Sequence, residues 1–359
     1  MNNEDVKRQI RKLSPLLLKH IADCSEDRNL IFSPVSAYVL LAMAADASAG
    51  KTKDEIMKFL LTVPDDEAFL EVGKIQTQLS AEQSFSSANV VIVREDLEDT
   101  ITPGYAEHLQ SAFDGKLFST NNMVFAVNEW VKKNSNGRIT NIAEDSMKDT
   151  LLCMINACTF ESEWAEQYKD RDIVNEDFHN SDGTVSRVNM LRSCEITYLE
   201  TESFTGFVRP YQDDAFSYMV LLPKHGNNID MKELTSFDWS TGMPRRENTI
   251  VEVLMPEFNC SMELEMKEIC KNLGIQTLFT PEAGFAPISS AWLKADSLKH
   301  KAEIEVSRQG TKASAVTFAD LECGALPLDF PEIKEIIVDR PFVYAIIHNA
   351  QDCLFSLEP

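Results

Sequence analysis

"SRQGTKASAVTFADLECGALPLDFP", residues 307–331, decides how the rest of this 359-residue chain is read. It opens as a turn, continues in small neutral residues, then becomes apolar, acidic and proline-punctuated, with no lysine or arginine between Lys312 and Lys334. It is too poor in long apolar side chains for a core segment and too poor in charge for an ordinary solvated loop. Split by strand parity, one face carries Thr311, Ala313, Ala315, Thr317, Ala319 and Leu321, small or neutral throughout. The other carries Lys312, Ser314, Val316, Phe318, Asp320 and Glu322. The first face could slide between two existing strands without steric or desolvation cost, the second could look outward, and Gly310 lets the chain reverse after "AEIEV". Periodicity alone leaves a plain surface loop equally open.

Working outward, the composition suits a large globular core: 44% hydrophobic and 25% charged. Net charge of −23 repels phosphate backbones and anionic lipid, so neither nucleic acid nor membrane is an expected partner. No apolar run approaches the ~20 residues that cross a bilayer. The first residues read as an amphipathic helix and not as a signal peptide. The expected location is cytoplasmic, or extracellular if a leader is removed or export is non-classical. The eight cysteines form no CxxC and no Cys/His cluster, so no metal site is expected and buried reduced thiols are the default.

The first 190 residues read mostly as helices: "NLIFSPVSAYVLLAMAADASAG", "DDEAFLEVGKIQTQL" and "NNMVFAVNEWVKKNSNG", with "SANVVIVRED" as a buried strand. Beyond Asn175 strands dominate ("EITYLE", "GFVRPYQ", "FSYMVLLP", "TIVEVLMPEFN"), with a late helix in "MELEMKEICKNLG" and closing strands "PFVYAIIHNA" and "DCLFSLEP". This order predicts one interwoven α+β domain over residues 1–359.

Catalytic motifs are wanting. "ADASAGKT" has Ala45 where a phosphate loop needs Gly, and a helical pattern precedes it. The six histidines make no HExxH pair, no serine sits in GxSxG, and the Asp65-Asp66 pair lies at a helix start. No enzyme and no cofactor is expected.

Several separated stretches, in order, carry a resemblance from about residue 4 to residue 359. "NLIFSPVSAYVLLAMAADASAGKTKDEI", "LLCMINACTFESEW", "HKAEIEVSRQGTKASA" and "DRPFVYAIIHNAQDCLF" resemble signature segments of the serpins. The resemblance implies a fold of three mixed or antiparallel sheets with about eight or nine helices, and an exposed reactive-centre loop with its hinge at about 307–331. It implies a protease inhibitor that acts as a suicide substrate. The target cleaves the loop, the acyl-enzyme forms, and the loop inserts as a new central strand before the ester hydrolyses. The partner is then a target protease in covalent complex with a monomeric inhibitor. Non-inhibitory carriers and chaperones belong to the same family. Their hinges usually carry bulky or charged residues, whereas here, after the hinge residue Gly310, Thr311, Ala313, Ala315 and Thr317 keep the inserting face small.

Position by position, Ser33, Ser36, Asn156 and His300 match the family's polar cluster beneath the central sheet, the shutter, and Trp164 matches the aromatic at the insertion point, the breach. Most members place a Glu two residues before the hinge Gly, paired with a Lys that follows a Pro. This chain has Arg308 and, in "LMPEFN", Glu257, so the same ion pair is expected with polarity exchanged. A separation above about 8 Å would leave the coupling weak and screened.

Family spacing from Gly310 puts the scissile bond between Gly324 and Ala325, with slippage open across 320–330. The absence of Lys or Arg there disfavours trypsin-like targets. Pro327 and Pro331 disfavour cleavage after Leu326 or Phe330. Cys323, Gly324 and Ala325 suit an elastase-like pocket and Leu321 or Leu328 a chymotrypsin-like one, while Asp320 and Asp329 leave a cysteine protease open. The acidic "VPDDEAFLEVG" stands where heparin-activated members are basic, so no heparin is expected. Asn259-Cys-Ser is a formal glycosylation sequon.

Overall fold

The computed structural model describes residues 3–24, 29–60, 68–82, 84–135, 137, 142–226, 229, 234, 245–246, 248–311, 331–349 and 353–354. The α-helices are α1 (Asn3–Cys24), α2 (Pro34–Asp46), α3 (Gly50–Leu60), α4 (Ala68–Ala81), α5 (Tyr105–Phe113), α6 (Met123–Asn134) and α7 (Met266–Asn272). The strands are β1 (Phe85–Arg94), β2 (Gly115–Thr120), β3 (Leu152–Phe160), β4 (Ser162–Glu163), β5 (Ile173–His179), β6 (Val185–Glu195), β7 (Thr197–Glu200), β8 (Phe204–Pro210), β9 (Phe216–Pro223), β10 (Arg245–Arg246), β11 (Thr249–Pro256), β12 (Phe258–Glu265), β13 (Ser297–Val306), β14 (Gly310–Thr311), β15 (Glu332–Ile337), β16 (Val343–His348) and β17 (Cys353–Leu354). They form three sheets, and the fold is mixed α+β. Among the described residues no helix is long and apolar enough to cross a membrane.

The chain divides into two compact units: residues 1–159 with 261–303 and 353–355, and residues 160–260 with 304–352 and 356–359. In the first, α2 is apolar on every side and buried from Pro34 to Ala45. Ser33 caps it, its hydroxyl accepting the Ser36 N–H at 3.2 Å, and Pro34 fills the first helical position. The sheet order here is β2-β1-β3-β13, and β12 pairs with β13. β1 and β2 are parallel, and so are β3 and β13, whose register sets Asn156 against His300. β3 is buried at every position, the near-continuous apolar run of a strand covered on both faces. On one face α6 and residues 142–147 pack Val127, Val131, Ile142 and Met147 against Val90, Ile92, Cys153 and Ile155.

In the second unit β7, β8, β9 and β16 run antiparallel in that order, with β10 on β7. A separate sheet has the order β15-β11-β6-β5, with β15 parallel to β11 and the other pairs antiparallel. The end of β13 pairs with β14, and β14 with β4.

Two expectations shift. "NLIFSPVSAYVLLAMAADASAG" ends its helix at Asp46, and its terminal Gly50 opens α3 instead. "MELE" belongs to β12, where Cys260, Met262 and Leu264 alternate inward. The helix starts only at Met266. The two-residue alternation outweighs the helix-forming residues that follow it.

Candidate functional site

β13 ends at Val306 and the chain turns at once. The Ser307 N–H donates to the Gly310 carbonyl at 2.9 Å, and the Gly310 N–H returns to the Ser307 carbonyl at 3.3 Å. Gly310 is required by close approach, since a Cβ there would lie 2.2 Å from the Ser162 carbonyl oxygen. Gly310 and Thr311 then pair antiparallel with Glu163 and Ser162, and Thr311 also faces Val306. Thr311 is 0% exposed, its hydroxyl 2.6 Å from the Tyr211 hydroxyl.

Aromatic groups clamp this turn. Trp164, 1% exposed, stacks on Tyr211 with centroids 4.7 Å apart, and its indole Nε1 donates to the Ser307 carbonyl at 2.8 Å. The backbone N–H groups of Trp164 and Tyr168 donate to the carbonyls of Gln309 and Arg308, both at 3.1 Å. Every carbonyl from Ser307 to Gly310 thereby has a donor.

Arg308 and Glu257 stand together. Glu257 Oε1 accepts the Arg308 backbone N–H at 3.0 Å and lies 3.6 Å from its side-chain Nε. Asp170 Oδ1 takes Arg308 Nη1 at 3.1 Å. The Glu257 carboxylate is oriented in turn by Asn189, whose Nδ2 donates to Oε2 at 3.2 Å.

Beneath the turn lies a group that the sequence did not reveal. Arg209 and Glu195 form a buried ion pair, and Arg209 also donates to the Glu166 carbonyl. Its guanidinium lies 4.3 Å from the Tyr168 ring centroid and 5.2 Å from that of Trp164. Burial pushes the Glu195 carboxyl up and Arg209 opposes the shift. The one available signal was an arginine among the apolar residues of "GFVRPY".

In the other unit, Ser33, Asn156 and His300 come together. His300 is fully buried, and burial lowers its pKa to about 4. Its Nε2 accepts the Ser33 N–H at 3.0 Å, which leaves Nδ1–H to donate to Asn156 Oδ1 at 3.3 Å. Asn156 Nδ2 passes the chain on to Ser87 Oγ at 3.0 Å and Asn89 Oδ1 at 2.9 Å. Asn89 donates to Gln76 of α4 at 2.9 Å and to the Phe113 carbonyl at 2.7 Å. Ser36 enters only through its backbone N–H to Ser33 Oγ. A low-dielectric hydrogen-bond chain thus runs from α2 through β13, β3 and β1 to α4. Ser87, Asn89 and Gln76 were missed because isolated amides and hydroxyls in strands and helices read as surface.

On the same strand, one residue before His300, Lys299 is 8% exposed. Its Nζ donates to the Ile142 carbonyl at 2.7 Å and pairs with Glu263 of β12. Asn128 of α6 holds the same segment, its Oδ1 accepting the N–H groups of Ile142 and Ala143 at 2.8 and 2.9 Å.

Ala313, Ala315, Thr317, Leu321, Cys323, Gly324, Ala325, Leu326 and Leu328 lie outside the described residues. Among the described residues no cluster of three or more His, Cys, Asp or Glu could hold a metal.

Residues 8–357 match the family model described as serpin (serine protease inhibitor). Plasminogen activator inhibitor 1 of Neovison vison is 27% identical over 357 residues, covering 93% of this chain and 87% of that protein. The native state of the thermophilic serpin tengpin superposes with a TM-score of 0.84 at 24% identity, covering 99% of this chain and 92% of that one. Human thyroxine-binding globulin gives 0.85 at 20% identity, with 99% and 98% covered. At these identities the structural likeness speaks for the fold.

Proposed function

The chain belongs to the serpin family, and from that premise we propose that it inhibits a protease as a suicide substrate. We read its two interleaved units as one serpin domain whose reactive loop spans about residues 307–331. The protease serine attacks a carbonyl within residues 320–330. The ester bond forms, the peptide C–N bond breaks, and the new amine leaves with the proton delivered by the protease histidine. The freed segment from Thr311 onward then inserts between β3 and β13. About ten new backbone hydrogen bonds at a net ~1 kcal/mol each would release on the order of 10 kcal/mol, enough to deform the attached protease.

The observation that carries this reading is β14. The first two residues of the segment are already strand, with Thr311 buried, while β3 and β13 pair directly at residues 153–157 and 297–301. Strands β3 and β13 still paired directly, and a strand already begun at Gly310–Thr311, suit a chain held by a barrier and not by thermodynamic depth. In this reading Trp164, Glu257 and Arg308 hold the entry point, and Ser33, Ser36, Asn156 and His300 hold the strands that must part.

The target is an elastase-like or chymotrypsin-like serine protease, because no Lys or Arg lies between Lys312 and Lys334 to enter a trypsin-like pocket. Cleavage falls at Gly324–Ala325 or beside Leu321, Cys323 or Leu328. The inhibitor acts as a monomer without heparin or another cofactor.

The test is incubation with neutrophil elastase, pancreatic elastase and chymotrypsin, followed by denaturing electrophoresis and mass measurement of the released C-terminal peptide. A denaturation-stable adduct is expected. Complete cleavage without adduct or gain in heat stability would overturn the inhibitor reading in favour of a non-inhibitory serpin.

A further inference from the structure

Strand alternation in the sheet β15-β11-β6-β5 turns Val251, Val253, Met255 and Ile336 inward, all buried. The outward positions of a one-sided sheet are ordinarily polar. Here they are not. Ile333 of β15, 65% exposed, sits in register with Ile250 of β11. Ile196, 82% exposed, follows Glu195, which pairs with Val251. Two residues along, Glu335, Glu252 and Cys194 form the next outward row, and beyond it Ile337, Leu254 and Arg192 the third.

The middle row sets two carboxylates directly opposite each other on neighbouring strands, an arrangement that costs stability. Among the described residues no ion pair reaches Glu252 or Glu335, and Lys334 is engaged with Glu332. Isolated exposed isoleucines are unremarkable. Apolar residues flanking two facing carboxylates, neither in a direct ion pair among the described residues, form a surface that matches a cation set among apolar groups.

We propose that this face is a docking surface for the body of the protease engaged at the reactive loop, an inference that rests on the inhibitor reading above. β15 begins at Glu332, the residue after Pro331. From Ala325 to Ile333 is eight residues, no more than roughly 28 Å of extended chain. A protease domain of about 230 residues has a radius of gyration of ~17 Å, so one seated on the scissile bond reaches across that distance. The complementary patch on the protease is a lysine or arginine flanked by aliphatic or aromatic side chains. A second copy of this chain is the poorer occupant, because a two-fold interface through this face would bring Glu252 and Glu335 against their own equivalents.

The experiment uses the full chain and whichever of the two elastases or chymotrypsin forms an adduct. Adduct formation rate, stoichiometry and melting temperature are measured for the Ile196→Ser/Ile333→Ser and Glu252→Lys/Glu335→Lys variants. The serine pair should slow adduct formation on the order of tenfold by shortening the encounter complex, with stoichiometry and melting unchanged. The lysine pair should be slowed most at low ionic strength and approach the parent rate in high salt. Parent rates in both variants overturn the docking surface and leave the inhibitor reading intact. A concentration-dependent dimer abolished by either variant also overturns it, by giving the face to a second copy. Absence of any adduct from the parent chain overturns both readings together.

Discussion

One carboxylate oxygen of Glu257 serves Arg308 twice, accepting its backbone N–H at 3.0 Å and standing 3.6 Å from its side-chain Nε. The side chains are 39% and 20% exposed, so the charge pair itself contributes about 1 kcal/mol or less. Arg308→Glu, which sets a third carboxylate beside Glu257 and Asp170, should lower the thermal midpoint. Adding Glu257→Lys exchanges the polarity but leaves the residue-308 N–H without its acceptor. The double variant should therefore recover only part of the loss. Full recovery would mean that the backbone bond carries nothing.

Thr311→Arg tests the segment proposed to insert, at its first buried position. The site is fully enclosed and its hydroxyl partner is Tyr211. A guanidinium cannot enter without a partner for its charge, so β14 should be expelled. The variant should be cleaved at the parent rate yet yield little adduct, read as a several-fold rise in the stoichiometry of inhibition. Thr311→Val, which removes only the hydroxyl, should cost ~1–3 kcal/mol by stranding the Tyr211 hydroxyl while inhibition persists.

His300 makes stability depend on pH. Burial lowers its pKa to about 4 in the folded chain, against an ordinary value near 6.5. Below pH 6.5 the unfolded chain binds a proton that the folded chain refuses, so stability falls as pH drops and the decline ends near pH 4. The total is roughly 3 kcal/mol. Its hydrogen-bond partners, the Ser33 N–H and the Asn156 amide, are neutral and do not offset the charge. Unfolding midpoints of the parent and His300→Gln, compared at pH 7 and 4.5, should show a shallower slope in the variant. An unchanged slope assigns the dependence to other groups.

Lys299 joins β13 to a segment that packs with β1 and β3. Its Nζ donates to the Ile142 carbonyl, and Ile142 lies in the apolar cluster with Val90 and Ile155. Adding a strand between β3 and β13 moves them apart by ~4.8 Å, which a bond of this length cannot span. Lys299→Met keeps the apolar stem and removes the tie. Uptake of a synthetic peptide of residues 311–322 by the intact chain should be about tenfold faster, equivalent to ~1.4 kcal/mol. Equal rates would show that the tie does not limit strand separation.

The opening "HKAEIEV" and the turn after it were legible because alternation and a glycine are local signals. The family resemblance singled out Trp164, Thr311, Asn156 and His300, but not the partners that the structure sets around them. Thr311 meets Tyr211 across 100 residues and Lys299 meets Ile142 across 157. Charges such as Arg209 and Glu195 read as solvated until two aromatic rings cover them. Strand boundaries failed where residue type and alternation disagreed, as at "MELE". Polar atoms become a network only when the fold decides which of them face each other.

Starting a strand is the unfavourable part of making one, because residues are ordered before bonds accumulate. In this chain the Gly310–Thr311 rung is already closed on both sides. Any growth from it is zipper-like elongation with initiation behind it. If the segment inserts as proposed, the timing of that conversion is governed at the joint where Asn156 must let go of His300.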